Sequence, residues 1–95
     1  MSLTVFNKHI EMSPDTMGGK PRIVGRRVAV QDVVIWHERL GKSVDEIATG
    51  YYLTLADVYA ALTYYYDNQA EVDQHIREGK EWVEQLKRKL PFELR

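Results

Sequence analysis

The chain contains no cysteine and no long apolar run, and both absences narrow what it can do. Without cysteine there are no disulfide bonds, no thiolate nucleophile and no cysteine-bound zinc. A helix that spans a bilayer needs about 20 consecutive apolar residues, and no stretch of this sequence provides them. The N-terminus lacks a basic region followed by an apolar stretch, so we expect a cytoplasmic protein without a signal peptide.

Lysine and arginine are absent from residues 43–76, although the whole chain of 95 residues has a net charge of only −1. That segment holds six carboxylates: Asp45, Glu46, Asp57, Asp67, Glu71 and Asp73. Residues 1–42 hold seven basic and four acidic side chains, and residues 77–95 hold six and four. An acidic middle therefore separates two basic ends, and a polyanion would meet the ends first because like charges repel.

The length predicts one small domain with a limited core, whose stability is often completed by association with another chain. The three histidines are scattered at positions 9, 37 and 75 and have no metal-ligand spacing. His37 lies on an apolar helix stripe, which favours a half-buried, hydrogen-bonded side chain over a catalytic base. The sequence therefore predicts no enzyme, no metal and no cofactor.

The N-terminal third predicts short strands and turns. "HIEM" alternates polar and apolar residues, and Gly18-Gly19-Lys20-Pro21 is a turn cluster. That cluster could also hold a phosphate on its amides, but it lacks the Gly-Lys-Ser/Thr ending of a P-loop, so a turn is favoured. "RIV" and "RVAV" flank Gly25-Arg26 and predict a short hairpin.

Capping signals mark the helices that follow. The first is predicted over Val30–Leu40, with Gly41 in a left-handed conformation at its end. The second begins after Ser43, which forms a capping box with Glu46, and ends at Thr49-Gly50. The third begins after Thr54, which forms the same box with Asp57.

A long fourth helix is predicted from Asn68, with Glu71 as its capping partner, to Leu90 before Pro91. It divides the chain into residues 1–67, a helix-turn-helix domain with N-terminal strands, and 68–95, an amphipathic helix for dimerisation or partner binding. Its apolar residues have coiled-coil spacing, which predicts a seam with neighbouring Trp82: Val72, Ile76, Gly79, Val83, Leu86 and Leu90. Two interpretations stay open: the helix packs on its own domain, or it pairs with a partner helix through flanking charges of both signs.

The second and third helices have the layout of a helix-turn-helix, yet neither carries a basic residue. The third is expected to expose Thr54, Ala56, Asp57, Ala60, Ala61 and Tyr64, none of which can neutralise phosphate. Candidates for DNA contact, mostly from the basic hairpin, are Lys20, Arg22, Arg26, Arg27, Lys42, Thr54, Asp57 and Tyr64. Either that hairpin holds DNA, or the helix-turn-helix is a scaffold for protein contacts. Six tyrosines lie between positions 51 and 66. They favour side chains that cover a small core or form a protein interface over side chains that stack on nucleic acid bases.

Several of these residues together resemble a bacterial family known as domain of unknown function 433 (DUF433). The resemblance covers about residues 9–66 and is carried by Ile10, Pro14, Gly18, Gly19, Lys20, Pro21, Ile23, Gly25, Arg27 and Val30, with Ile47-Ala48, Leu53-Thr54 and Ala60-Ala61-Leu62 further on. Two positions depart from the family pattern. Arg26 replaces a usual threonine, and Ala29 stands where a capping residue is common.

The resemblance implies a mainly α, homeodomain-like three-helix helix-turn-helix with a short N-terminal β-hairpin or sheet and a long C-terminal helix. Several members of the family resemble VapB-type antitoxins. We therefore expect a small non-enzymatic regulatory protein, antitoxin-like, that binds operator DNA and a PIN-domain-like ribonuclease toxin and forms a homodimer. The alternative is a protein–protein interaction module whose helix-turn-helix no longer binds DNA.

Overall fold

The computed structural model describes residues 4–5 and 8–89. This part of the chain is mainly helical, with a small antiparallel sheet and a long last helix, as the sequence predicted. Its strands are β1 (Thr4–Val5), β2 (Ile10–Met12) and β3 (Arg22–Ile23). Its α-helices are α1 (Val30–Val34), α2 (Val44–Tyr51), α3 (Leu55–Asp67) and α4 (Gln69–Lys89). None of these helices is both long and apolar enough to cross a membrane.

The sheet has the order β1-β2-β3, with both pairs antiparallel. Ile10 of β2 lies opposite Ile23 of β3, and Glu11 lies opposite Arg22. Successive side chains of a strand point to opposite faces. The two isoleucines are therefore buried together in the core, and Glu11 and Arg22 meet on the other face.

The predicted hairpin around Gly25 forms only in part. Gly25 takes a left-handed conformation (φ 74°), and the amide of Arg26 donates to the carbonyl of Ile23 at 3.0 Å, so the turn is present. Its second strand is reduced to one antiparallel bridge between Ala29 and Arg22. The amide of Ile23 donates to the carbonyl of Val28 at 2.8 Å, and that of Val30 donates to the carbonyl of Pro21 at 2.9 Å. The reason is that α1 begins at Val30, which takes the chain out of the sheet.

The first predicted helix has the expected extent, because α1 continues as a π-helical turn over Ile35–Arg39. The amide of Leu40 donates to the carbonyl of Ile35 at 2.9 Å, five residues back, which is the π pattern. Ala29 has no side-chain acceptor, but the Asp32 carboxylate accepts from its amide at 3.0 Å. Gly41 is left-handed (φ 73°), as predicted.

The capping boxes that begin α2 and α3 are confirmed. The Ser43 hydroxyl accepts from the amide of Glu46 at 3.1 Å, and the Glu46 carboxylate accepts from the amide of Ser43 at 2.8 Å. The amide of Ser43, and after it the Ser43 hydroxyl, stabilise the carboxylate of Glu46 and hold its pKa below the usual value. Thr54 and Asp57 make the same pair of bonds at 3.0 and 3.2 Å.

The end of α2 differs from the prediction. The helix continues through Gly50 to Tyr51, and the left-handed residue that ends it is Tyr52 (φ 57°). The amide of Leu53 reaches back to the carbonyl of Ala48 at 2.9 Å, the long bond of a Schellman motif. Leu53 is buried, and Tyr51 stacks on Trp36 at 3.7 Å between ring centroids. Burial of Leu53 and stacking of Tyr51 therefore set this helix end, rather than the flexibility of Gly50.

The core lies between α1 and α3 and is closed by the sheet, α2 and the first half of α4. Its fully buried side chains are aliphatic: Ile10, Ile23, Val30, Val33, Val34, Ile47, Val58 and Val72. From α4, Val72 and Ile76 belong to this core. The first half of α4 is therefore packed on its own domain.

Three adjacent tyrosines fix the neighbours of α3. The hydroxyl of Tyr64 donates to Glu71 at 2.7 Å and that of Tyr65 to Asp73 at 3.0 Å, both on α4. Tyr66 donates to Glu38, beside α1, at 2.7 Å. Burial of the Tyr64 ring, followed by its bond to Glu71, raises the pKa of Tyr64 far above its usual value.

The predicted capping box of α4 is wrong, because both of its side chains bond to α3. The amide group of Asn68 donates to the Tyr64 carbonyl at 3.0 Å, which closes the end of α3. Glu71 accepts from the Tyr64 hydroxyl. The two residues that resemble a helix cap in the sequence therefore join α3 and α4 at the corner between these helices.

Tyr52→Gly should raise the free energy of unfolding by about 0.5–1 kcal/mol. A left-handed conformation costs a side-chain-bearing residue about 1–2 kcal/mol, and the greater freedom of glycine in the unfolded chain offsets part of the gain. Urea denaturation measures the difference, with Tyr52→Ala, which retains the strain, as the control. A less stable glycine variant would show that the tyrosine ring contributes packing despite its exposure.

Candidate interaction surfaces

Arg22, a predicted DNA contact, is part of the folded framework. It forms an ion pair with Glu11 across the sheet, and the two side chains are only 13% and 10% exposed. Its Nη1 also donates to the carbonyl of Arg26 at 3.3 Å. A guanidinium buried against a carboxylate in this way is poorly placed to meet a phosphate.

Arg26 also makes intramolecular bonds. One Nη donates to the carbonyl of Tyr52 at 2.6 Å and the other to that of Tyr51 at 2.8 Å. The planar fork thereby binds the C-terminal end of α2, where the helix dipole favours a positive charge. Arg26 therefore stabilises the connection between α2 and α3.

The other predicted cations remain open to solvent. Arg27 is exposed, and Lys20 and Lys42 are half-exposed. Lys20 follows a short 3-10 turn over Met17–Gly19, as expected of a turn cluster. His37 is half-buried and donates from Nδ1 to the carbonyl of Lys42 at 2.8 Å, as the sequence predicted. We call the five predicted cations the basic region: Lys20, Arg22, Arg26, Arg27 and Lys42. Three of them, Lys20, Arg27 and Lys42, remain available to a partner.

The predicted outward face of α3 is wrong in part. Thr54 and Ala56 are exposed, but Ala61 and Tyr64 are buried, and Asp57 and Ala60 are half-buried. The cause for Tyr64 is α4, which returns beside it and binds its hydroxyl through Glu71. A sequence pattern alone could not show which side of α3 the last helix would cover.

α3 and the turn before it present exposed aromatic and apolar side chains, and α2 and α3 carry no lysine or arginine. We call the surface that these side chains form the turn–α3 surface, and its residues are Tyr52 (85% exposed), Leu55 (47%), Tyr59 (57%) and Tyr66 (54%). Leu55 and Tyr59 are four residues apart and Tyr66 follows seven later, so all three lie on one side of the helix. The apolar spacing of the sequence predicts one inward stripe on this helix, formed by Leu55, Val58, Tyr59, Leu62, Tyr65 and Tyr66. Leu55, Tyr59 and Tyr66 are exposed instead, because that stripe is wider than the core can cover.

Tyr52 is the most conspicuous member of this surface. It combines a left-handed backbone with a side chain that is 85% exposed, so the fold gains little from a tyrosine there. Strained residues of this kind cluster at sites of function. Arg26 holds the carbonyl of Tyr52, which fixes where the ring is presented.

Asp57, another predicted DNA contact, joins α3 to the sheet. The ring of His9 donates from Nδ1 to Asp57 at 2.9 Å, in addition to the capping bonds with Thr54. Burial raises the pKa of Asp57, but the bonds from Thr54 and His9 outweigh it and hold the pKa below its usual value. Asp57 is therefore an ionised acceptor in the structure and not a free side chain for a base.

The second half of α4 leaves the domain. Beyond Ile76 its seam becomes exposed: Gly79 and Leu86 are half-exposed, Val83 is 43% exposed and neighbouring Trp82 is 63% exposed. A Cβ added at Gly79 would meet no atom within 4 Å. Leu90, the last predicted seam residue, lies outside the described residues. We call residues 79–89 the distal half of α4.

The charges of the distal half are ordered around its seam. In heptad notation Ile76 and Val83 are a residues, and Gly79 and Leu86 are d residues. The e and g positions, which flank the seam, hold Lys80, Lys87, Trp82 and Lys89. The glutamates of residues 78–89 fall at b, c and f: Glu84, Glu78 and Glu81. The expectation that both signs flank the seam is therefore wrong, because the acidic residues lie away from it.

Arg26→Ala should lower the free energy of unfolding by about 1–2 kcal/mol, because it removes two charge-assisted bonds from the end of α2. Arg27→Ala, the same change at the exposed neighbour, should change it by less than about 0.5 kcal/mol. Urea denaturation compares the two variants. Equal effects would mean that Arg26 has no capping role.

Asp57→Asn should destabilise the protein at neutral pH and less so in acid. Since the pKa of the folded carboxyl lies below its ordinary value of 3.8, the stabilisation is complete above that value and is lost as the pH falls through the folded pKa. Urea denaturation between about pH 6 and pH 3 follows the difference from wild type. Asp67→Asn, at an exposed position of α3, is the control, and a difference that grows in acid would contradict the bonding described.

Comparison with known proteins identifies the family. The family described as "Protein of unknown function (DUF433)" matches residues 10–65. A solved structure, the crystal structure of a DUF433 member protein from Anabaena variabilis ATCC 29413, is similar with a TM-score of 0.69 and 30% identity, over 75% of this chain and 70% of that one. No curated protein matches the sequence. With more than half of its length matched, the chain belongs to the DUF433 family.

Proposed function

We propose that the protein is a cytoplasmic, non-enzymatic interaction module, in which α1, α2 and α3 form a homeodomain-like helix-turn-helix that serves as a protein-binding scaffold. The observation that carries the proposal is the turn–α3 surface. Leu55, Tyr59 and Tyr66 lie on α3, the helix that would read DNA in such a unit, and α3 carries no lysine or arginine.

The electrostatics of this helix favour protein over DNA. Phosphate neutralisation by lysine and arginine dominates the affinity for DNA, and α2 and α3 carry neither residue. Tyrosine, in contrast, is enriched at the centres of protein interfaces. Exposed aromatic residues on a rigid helix therefore suit a protein partner.

The basic region adds little to a DNA-binding role. Arg22 is paired with Glu11, and Arg26 binds the end of α2. Each of these cations would have to leave a charge-assisted bond before it could contact a phosphate. The fold uses the planar arginine forks internally, where they position the scaffold.

A second candidate is an antitoxin-like protein that binds operator DNA and a PIN-domain-like toxin. Arg27, Lys20 and Lys42 support it, because they are cations still open to solvent. The exposed distal half of α4 would then be the segment that binds the toxin. An overlapping gene for a small PIN-domain ribonuclease would favour this candidate.

A DNA titration separates the two candidates. For the interaction module we expect equal binding of the protein's own upstream DNA and of a scrambled duplex, no tighter than the non-specific range of about 10⁻⁴ to 10⁻⁶ M. Fluorescence anisotropy at physiological salt measures both affinities. A preference for the upstream DNA at about 10⁻⁸ M or tighter would overturn the proposal in favour of the antitoxin-like candidate.

If the protein prefers its upstream DNA, alanine variants of exposed arginines identify the phosphate contacts. Arg27→Ala should weaken binding to all sequences alike and lower the salt slope by about one unit. Arg88→Ala, which removes the same charge from an exposed position on α4, is the matched control. An unchanged slope for Arg27→Ala would exclude Arg27 as a phosphate contact.

A further inference from the structure

We infer that the distal half of α4 docks on the turn–α3 surface of a second copy of the chain. The inference rests on the proposed function and names the partner of its scaffold. It is carried by two exposed apolar surfaces that are complementary in charge and that one molecule cannot bring together.

The first surface is the distal half of α4, which is apolar and basic. Trp82, Val83 and Leu86 form its apolar part. The charged residues that border this part are the lysines at e and g, Lys80, Lys87 and Lys89. Its occupant should therefore be apolar and bordered by carboxylates.

A second α4 is a poor occupant. In an antiparallel pair e residues face e residues, which sets the lysines Lys80 and Lys87 of the two helices against each other, and in a parallel pair Lys87 faces Trp82 and gains no acidic partner. Like charges at such positions repel and disfavour the pair. The seam outside the domain is also short, since Val72 and Ile76 are already buried in the core.

The turn–α3 surface has the required chemistry. Tyr52, Leu55 and Tyr59 are its exposed apolar residues, and α2 and α3 contain no lysine or arginine. The cation beside Tyr52, Arg26, is bonded to the carbonyls at the end of α2. Near its end, Tyr66 is bonded to Glu38, and the exposed carboxylate of Asp67 follows it in the helix. An apolar helix bordered by lysines therefore meets complementary charge on this surface.

The contact has to form between molecules. α4 is one continuous helix from Gln69 to Lys89, and its first half is held in the core and against Tyr64 and Tyr65. Its distal half extends about 15 Å further along the same axis, at about 1.5 Å per residue. Because Tyr59 lies on the other side of α3 from these contacts, α4 cannot reach the turn–α3 surface of its own chain.

Two copies related by a two-fold axis satisfy both surfaces at once, with each α4 docked on the other's α3. Such an arrangement is closed and contains the same contact twice. The strained, exposed Tyr52 then has a role, since its ring lies at the end of the surface that receives the helix.

Two variants test the contact by complementation. Leu86→Glu damages the docking helix, and Tyr59→Glu damages the receiving surface; both positions lie on exposed parts of helices, and circular dichroism verifies folding. Light scattering should show a dimer for wild type and a monomer for each variant. An equimolar mixture should form a heterodimer, because the α4 of the Tyr59→Glu chain still fits the α3 of the Leu86→Glu chain.

The outcomes are distinct. Gln85→Glu, on the back of the same helix, and Tyr59→Phe should leave the dimer intact, whereas Tyr52→Gly should weaken it about tenfold while stabilising the fold. A dimeric Tyr59→Glu variant, or a mixture without heterodimer, overturns the inference. A wild-type monomer at high micromolar concentration also overturns it, and the proposed function stands if the DNA titration shows no sequence preference.

A matched pair of charge reversals separates this contact from pairing of two α4 helices. Lys87→Glu, at an e position, should weaken the dimer about tenfold or more. Arg88→Glu, with the same change in charge on the back of the helix, should not. If Lys87→Glu instead strengthens the dimer, lysines face each other across an α4–α4 seam and the inference is wrong.

Discussion

The packing of α1 on α3 is the contact on which the rest of the structure depends. Valines at positions 30, 33 and 34 of α1 are buried in one core cluster with Val58 and Ala61 of α3, and the two helices are in contact. The sheet covers one part of this pair through two isoleucines, and α4 covers another through Val72. Because these neighbours occupy only some sides of α3, an aromatic strip of that helix is left facing solvent.

Charge has two different roles in this fold. Arg22 and Arg26 make bonds that hold the sheet and the end of α2, and Asp57, Glu71 and Asp73 accept bonds from neighbouring elements. These groups cannot be counted as surface charge for a partner. Among the described residues, the lysines around the distal seam of α4 and the carboxylate of Asp67 make no such framework bond, and they give the two surfaces their opposite character.

Local rules predicted the parts of the fold that local chemistry controls. Ser43 with Glu46, and Thr54 with Asp57, mark helix starts because a hydroxyl and a carboxylate three residues apart satisfy free amides in any context. Gly41 is left-handed for an equally local reason. The end of α2 was predicted wrongly, because Tyr51 stacks on Trp36, which is distant in sequence. The role of Asn68 was predicted wrongly, because its side chain bonds to Tyr64 of α3 and not to α4.

The sequence by itself determined the helical composition, the heptad spacing of α4 and the separation of an acidic middle from basic ends. Only the tertiary structure decided which arginines bond within the protein and which tyrosines face solvent. The physical reason is that periodicity defines the sides of a helix but not which neighbour covers each side. That depends on where the chain turns, and here the corner at Asn68 places α4 over Tyr64 and leaves Tyr59 exposed.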